Sequence, residues 1–280
     1  MESIKHFHSD FSLNAKLDHT SRRIWVTDYK AGDPAALHTF LVNLARQRGI
    51  EKIIMPVRTA DADKLAGSGF KKEGAIPGYF NGADSHFLAA YTSKQRSIST
   101  SLSGERKILK EILSRSRGGQ WHLPSGFTMR LARDEDSESM SHLFRRVFAS
   151  YPSPVFDPEY LMQSMNTGNI FMVIYNGRRL TSVAAAEIQP ENGRAELTNC
   201  ATDPEFRGKG LNTLLLASLE KMCLSRDITC LYSLARASSY AMNLVFHRLG
   251  YVFGGTLINN CHIGGRYENM NVWVKPQKAV

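Results

Sequence analysis

Between Asp203 and Thr213 the chain reads D-P-E-F-R-G-K-G-L-N-T, an arginine and two glycines set between an extended run and an apolar-faced helical run. Those residue types, in that order, suit the cradling of a phosphate. Gly208 and Gly210 remove side chains that would hold an anion off the backbone, and Arg207 and Lys209 bring positive charge. The loop, ending in Leu211, Asn212 and Thr213, sits at the N-terminus of a helix whose first N–H groups are unpaired and whose dipole is positive at that end. The pattern is not a nucleotide P-loop, which needs Lys and then Ser or Thr after its last glycine. Nor is it G-x-G-x-x-G, since no third glycine follows at the right offset.

The elements that must hold this loop can be read on either side of it. Arg194–Thr202 (R-A-E-L-T-N-C-A-T) reads as a strand, and alternation puts Glu196, Thr198 and Cys200 on one face and Ala195, Leu197, Asn199 and Ala201 on the other. Glu196 is then an inward-pointing acid. From Phe127 onward the periodicities predict a strand (127–132), a helix (135–149), a proline-containing loop and a short helix (159–165). Strands at 170–175, 180–189 and 194–202 follow, then the loop and its helix (214–224), a strand (229–234), a helix (240–249) and strands at 252–258 and 268–274.

Residues 1 to about 92 alternate extended and helical stretches: 23–28 extended, 34–48 helical, 52–57 extended, 61–66 helical, then two extended runs ending at Tyr91. A helix-compatible segment and G-G-Q-W-H-L-P-S-G come next. The expected organisation is therefore an N-terminal α/β domain over 1–117, a linker over 118–126 and a second domain over 127–280. A weak echo joins the two: L-A-G-S-G-F (Gly69, Phe70) and F-H-R-L-G-Y (Gly250, Tyr251) each end a helix and lead into two extended runs about an asparagine turn, Asn81 in one and Asn259–Asn260 in the other. A degenerate internal copy and coincidence between two α/β units both account for it. No R-x-x-G-x-G occurs in the first half.

The composition is that of a globular chain: 280 residues, 42% hydrophobic, with no apolar run of membrane-spanning length and no apolar signal-peptide core at the N-terminus, so a cytoplasmic location is expected. The four cysteines are irregularly spaced and lie in the second half, as reduced thiols do. The net charge of +9 is spread along the chain without a nucleic-acid-binding signature, which favours a small polyanionic ligand over nucleic acid. His122, His247 and His262 lack metal-ligand spacing, so no metal is expected. Cys200 with His247 or His262 and Asn199 can be drawn as a thiol triad, but a strand cysteine is ordinarily a small buried apolar residue.

The strand and loop together resemble the central strand and acetyl-CoA pyrophosphate loop (R/Q-x-x-G-x-G/A) of the GNAT acyltransferases, with Arg207 and Gly210 in register and Asn212 departing at the last small position. The resemblance implies a GNAT fold in the C-terminal half, preceded by a smaller α/β unit. It implies acetyl-CoA bound by Arg207, Gly208, Lys209, Gly210, Leu211, Asn212 and Thr213, with backbone N–H groups near Cys200, Ala201 and Thr202 on the acetyl oxygen. Glu196 becomes a general base for an amine. Exposing the lone pair of an alkyl ammonium at pH 7 costs roughly 4 to 5 kcal/mol, which a base offsets. Phe246 stands where many members carry the tyrosine that protonates the departing thiolate. That leaves Tyr240, Tyr251 or water for the role, and Asn243 for a pantetheine hydrogen bond.

R-G-K-G-L-N-T, Y-P-S-P-V-F-D-P-E-Y, N-N-C-H-I-G-G-R-Y-E-N-M-N-V-W and I-P-G-Y-F-N-G-A-D-S-H-F together resemble the β-lysine N6-acetyltransferase family over nearly the whole chain. That resemblance implies transfer of acetyl to the terminal amine of (3S)-3,6-diaminohexanoate, whose product is in some organisms a compatible solute and in others part of lysine metabolism. For such an acceptor, Asp157 and Glu268 with Tyr151 and Tyr160 suit the ammonium groups. Arg145, Arg146 or Arg266 suits the carboxylate, Asn259, Asn260 and Asn271 supply neutral hydrogen bonds, and Phe156 and His262 lie in the same two wall segments. Acetylation of a polyamine, lysine or an aminoglycoside, and an acyl-CoA-sensing or nucleic-acid-binding module without transfer, are the rival readings. Residues 1–117 are expected either to cover the acceptor site or to form a subunit contact, which leaves a homodimer open.

Overall fold

In the computed structural model, which describes residues 2–276, the alternating apolar runs join into one 13-stranded sheet. The first half contributes β1 (Glu2–Phe7), β2 (Phe11–Asp18), β3 (Arg23–Ala31), α1 (Pro34–Gln47), β4 (Lys52–Arg58), α2 (Thr59–Gly67), β5 (Lys71–Phe80) and β6 (Ala83–Tyr91), followed by α3 (Leu102–Leu113). Residues 116–124 have no regular structure and lead to β7 (Phe127–Leu131), α4 (Ser137–Val147), α5 (Pro158–Asn166), β8 (Ile170–Asn176), β9 (Arg179–Gln189) and β10 (Arg194–Thr202). The chain ends with α6 (Leu211–Leu224), β11 (Cys230–Arg236), α7 (Tyr240–Arg248), β12 (Val252–Ile263) and β13 (Arg266–Val274). The sequence reading missed β1, a six-residue strand of mostly polar residues, and β2, whose F-S-L-N-A-K-L-D carries a strand's alternation.

Strand order is β1-β2-β3-β4-β6-β5-β12-β13-β11-β10-β9-β8-β7. Read inward from either end, three antiparallel strands are followed by a parallel step (β3 to β4, or β10 to β11) and an antiparallel hairpin, with β7 as the one extra strand. The two halves thus share one topology, and Gly69–Phe70 and Gly250–Tyr251 fall at equivalent points of it, where α2 enters β5 and α7 enters β12. Both glycines are left-handed, with φ of 118° and 84°, which explains why each helix ends there. The asparagine turns of the echo are not equivalent. Asn81 and Gly82 do close the β5–β6 hairpin, but Asn259 and Asn260 lie within β12, whose hairpin turns at Gly264–Gly265.

Each half buries its own apolar layer on the helix-covered face. In the first half β2, β3 and β4 pack on Leu37, Leu41 and Leu65, and in the second Ala195, Leu197 and Leu231 pack on Leu215, Leu216 and Leu219. On the opposite face one shared cluster, including Ile54, Ile76, Phe87, Tyr232, Leu257 and Val272, bridges the halves, and α4 and α5 cover the β8–β10 end.

The halves meet where Gly74 of β5 pairs with Gly255 of β12. Each is the fifth residue past the glycine that ends its helix, so equivalent residues face each other across an antiparallel ladder, as a local twofold axis requires. Both hairpins are bulged at this point, between Lys72 and Gly74 and between Phe253 and Gly255. A Cβ on Gly255, whose φ is 132°, would stand 2.3 Å from the Glu73 carbonyl oxygen and 2.5 Å from the Gly74 Cα. We expect Gly255→Ala to lose about 2–4 kcal/mol in urea unfolding, against about 1 kcal/mol for Gly264→Ala, which meets nothing within 4 Å. Equal losses would show that the close approach is not what requires glycine.

Candidate active site

Parallel pairing between β10 and β11 runs only from Arg194–Glu196 against Cys230–Tyr232. Beyond it the strands part, because β10 bulges between Thr198 and Ala201 with Asn199 at a φ of 51°. The gap opens into a cavity lined by Thr198, Cys200, Ala235, Ser239, Phe246 and Tyr151, among others. The bulge also resets the alternation read from sequence. Ala201 packs with the α4–α5 cluster on Glu196's face, Cys200 turns toward the α6–α7 cluster, and Asn199 donates to Glu187 Oε1 at 3.0 Å. Burial pushes the Cys200 thiol up to about 12, which removes it as a nucleophile at neutral pH, and His247 is engaged by the Arg115 carbonyl at 2.9 Å.

Glu196 lies directly opposite Glu187 in the β9–β10 ladder and beside Tyr232 in the β10–β11 ladder. Enclosure by protein, and secondarily the Glu187 charge, push its carboxyl up to about 8, while the Arg23 guanidinium and the Tyr232 hydroxyl oppose the shift. Burial raises Glu187 as well, against the Asn199 hydrogen bond and the charge of Lys16. Two acids held together in a part-enclosed wall repel each other and favour a proton or a cation between them. Tyr151 and Tyr160 complete the enclosure. Burial and, behind it, the Glu187 charge push Tyr160 up to about 12, and Tyr151 is raised by burial and by its neighbours Cys200, Glu187 and Glu196.

The phosphate-type loop is braced from its acidic side. Asp203 is buried, caps the turn by accepting from the Glu205 N–H, and is held by Arg179 Nη2 at 2.6 Å and by Arg146 Nη2 at 3.5 Å; both arginines also pair with Glu205. Arg207, Gly208 and Lys209 are exposed, and Gly208 and Gly210 take φ of 79° and 73°, which leaves α6 without a side-chain cap. No acceptor among the described residues takes the N–H groups of Gly208 to Thr213. Asn212, at the position that departs from the loop pattern, accepts from Ser182 Oγ at 3.1 Å and so ties α6 to β9. Trp121 of the linker rests on the loop, 3.2 Å from where a Cβ on Gly210 would stand.

Several residues chosen from sequence have other employment. Asp157 is exposed and caps α5 ahead of Pro158, the same Asp-Pro device that starts α1 at Asp33. Arg146 braces the loop instead of facing the acceptor wall, and Arg145 donates to the Phe156 carbonyl. Asn243 is saturated, donating to the Arg236 and Ser239 carbonyls and accepting from Asn271 and Trp273, and Asn271 also accepts from Thr256. Glu268 is buried between Arg266 and Ser238. Asn259 donates to the Arg96 and Ile98 carbonyls, Asn260 keeps a buried Oδ1 without a donor, and the His262 ring packs edge-on against Tyr267. The Tyr240 hydroxyl bonds Glu111 of α3 outside the cavity, and that of Tyr251 is buried toward Glu220 of α6.

Sequence reasoning missed Glu187 and Arg23. The first was findable: counting back through the hairpin about P-E-N-G sets Arg194 against Gln189 and therefore Glu196 against Glu187. The second carries no local signal, since Arg23 belongs to the other half of the chain.

Residues 137–251 match the acetyltransferase (GNAT) family. Over 94% of its length the chain is 39% identical to a Bacillus subtilis (strain 168) protein named N-acetyltransferase YodP, covering 96% of that protein. It is 33% identical, over 83% of this chain and 93% of the relative, to a Methanosarcina mazei protein named beta-lysine N(6)-acetyltransferase. A Methanococcus maripaludis protein of the same name is 26% identical over 83% of this chain and 85% of the relative. The chain is an acetyltransferase of the GNAT family and belongs, within it, to the β-lysine N6-acetyltransferase family.

Proposed function

We propose that the protein transfers acetyl from acetyl-CoA to the terminal amine of β-lysine, with Glu196 as the base. The observation that carries this reading is the Glu187–Glu196 pair, enclosed by tyrosines beside the β10–β11 gap. A molecule with two ammonium groups is what two facing acids recognise, and only the acid nearer the gap can deprotonate an amine that reaches into it.

Acetyl-CoA supplies the activated acyl group, and the residues present suit it. The free N–H groups of Gly208 to Thr213, with Arg207 and Lys209, would hold its pyrophosphate, and the gap past Phe246 would admit its narrow arm. At the bulge Asn199 and Cys200 leave the β9 ladder, so their backbone can serve the acyl oxygen. Glu196 takes the ammonium proton, either directly or through one water; the neutral nitrogen then bonds to the acetyl carbon as the C–S bond breaks, and the departing thiolate takes up, through water, the second proton that the nitrogen sheds. Once the acceptor's ammonium groups sit by the two carboxylates they offset their repulsion and lower the carboxyl of Glu196 toward the working pH.

An amine panel with acetyl-CoA, read by mass spectrometry, tests the reading. One acetyl group is expected on N6 of β-lysine, with lysine, spermidine and an aminoglycoside slower. Equal turnover of spermidine, or cofactor binding without any product, would replace it with one of the rival readings.

A further inference from the structure

Arg23 opens β3 in the half of the molecule that has no phosphate loop. Its Nε donates to Asp18 Oδ2 at 3.1 Å, its Nη1 donates to the Asn260 carbonyl at 3.3 Å and lies 3.1 Å from Cys261 Sγ, and the group sits over Trp25, 5.3 Å from the ring centroid. It is 9% exposed, and its Nη2 donates to nothing among the described residues. A guanidinium fixed on three sides with one edge open is a preorganised anion receptor. Glu196 lies within electrostatic reach of this guanidinium. Cys261 shares the central cluster with Tyr232, the ladder neighbour of Glu196, and the charges of Arg23 and Glu196 act on each other. Two acceptors in the neighbourhood, Asn199 Oδ1 and Asn260 Oδ1, are buried without donors.

The arginine at the equivalent place in the other half has both Nη groups taken, and its Nε is buried without an acceptor among the described residues. Arg194, first residue of β10 as Arg23 is of β3, gives Nη1 to the Tyr79 carbonyl at 2.9 Å and Nη2 to Gln189 at 2.6 Å, and lies 3.7 Å above the Tyr79 ring. Trp25 occupies the rung that Glu196 occupies in the second half. The first half therefore has no base of its own, and its arginine is the one of the two whose Nη2 is free among the described residues. Of the other arginines considered for an anionic substrate group, Arg145 and Arg146 are spent on Phe156 and on the loop, and Arg266 is paired with Glu268.

We propose that Arg23 binds the carboxylate of the amino-acid acceptor, so that the acceptor spans the two halves, its anionic end on Arg23 and its reacting amine at Glu196. The assignment rests on the β-lysine reading, and it makes Arg23 the residue that separates an amino acid from a polyamine of similar length. A lost charge-assisted pair of this kind is worth roughly 10- to 100-fold in discrimination.

Steady-state kinetics of the full chain with β-lysine, its carboxamide and 1,4-diaminopentane, which is the same diamine without the carboxylate, decide the matter. Wild-type protein is expected to show a KM about 10- to 100-fold lower for β-lysine than for the other two. Arg23→Gln is expected to raise the β-lysine KM to their level while leaving the KM for both analogues and for acetyl-CoA unchanged. A structural role would move every KM together and overturn the proposal. So would a wild-type protein that handles the carboxamide as well as β-lysine, a comparison that needs no variant to fold. Arg23→Lys, which keeps the charge and loses the fork, is expected to fall between. Failure of wild type to acetylate β-lysine removes the substrate reading and this proposal together, whereas β-lysine turnover indifferent to the carboxylate removes only the role of Arg23.

Discussion

Glu196→Gln is expected to lower kcat by about 100- to 10,000-fold with little change in the KM for acetyl-CoA, the range that loss of a positioned base produces. The substitution keeps the side chain's shape, so it separates proton transfer from packing. With the carboxyl held up to about 8 by burial and then by the Glu187 charge, the free enzyme carries Glu196 protonated at pH 6 and ionised at pH 9. The base acts only when ionised, so wild-type kcat/KM is expected to climb about tenfold per pH unit toward pH 8 and then to flatten. The Gln variant is expected to lose the limb that belongs to Glu196. A variant with the wild-type profile and rate would end the base assignment while leaving the fold untouched.

The same acid has an opposite effect on stability. Its folded pKa lies above the unfolded one, so the native state binds the proton more tightly, and the stabilisation is complete below the ordinary carboxylate range and lost as pH rises through about 8. Above pH 8 Glu196→Gln is therefore expected to melt at a higher temperature than wild type, and near pH 4 at the same temperature. The site that supplies the base is a cost to the fold that contains it.

The largest loss of stability is expected at the junction of the halves. Lys52 of β4 is fully buried, pairs with Glu73 Oε2 of β5 at 2.7 Å and donates to the Ile258 carbonyl of β12 at 2.6 Å; Glu73 also accepts from Tyr91 and from the Ile258 N–H. Burial drives the Lys52 ammonium down to about 8, and the Glu73 carboxylate is what keeps it charged at neutral pH. Lys52→Met strands a carboxylate inside the protein and is expected to lose about 3–5 kcal/mol at pH 7 in urea unfolding. Adding Glu73→Leu is expected to recover most of that, because replacing both charges removes the desolvation cost along with the attraction. Additive losses in the double variant would show that the two residues contribute separately.

How much of this was legible in the sequence depends on the distance over which each feature is encoded. β10 and the helix of the loop are local: alternation gives Arg194–Thr202, and the glycines mark the anion-binding helix start. The Asp-Pro pairs were equally local but were read as chemistry at Asp157, where the proline fixes the aspartate as a cap. The bulge at Asn199 lay beyond alternation, because one left-handed residue without glycine leaves no pattern, and it moved Cys200 off Glu196's face. Glu187 needed a ladder register, and Arg23 needed the join between the two halves, in which it meets a residue 237 positions away, Asn260.

The Gly74–Gly255 pairing and the crossed arginines have a consequence for how the enzyme lives in solution. An arrangement that two separate chains would lose on dilution is here carried on one polypeptide, so the contact between Arg23 and the Asn260 strand survives at any protein concentration. A change at one such contact also acts once per catalytic centre instead of twice by symmetry. One half can then keep the acyl-transfer chemistry while its counterpart drifts toward recognising the acceptor, a division of labour closed to a pair of identical subunits.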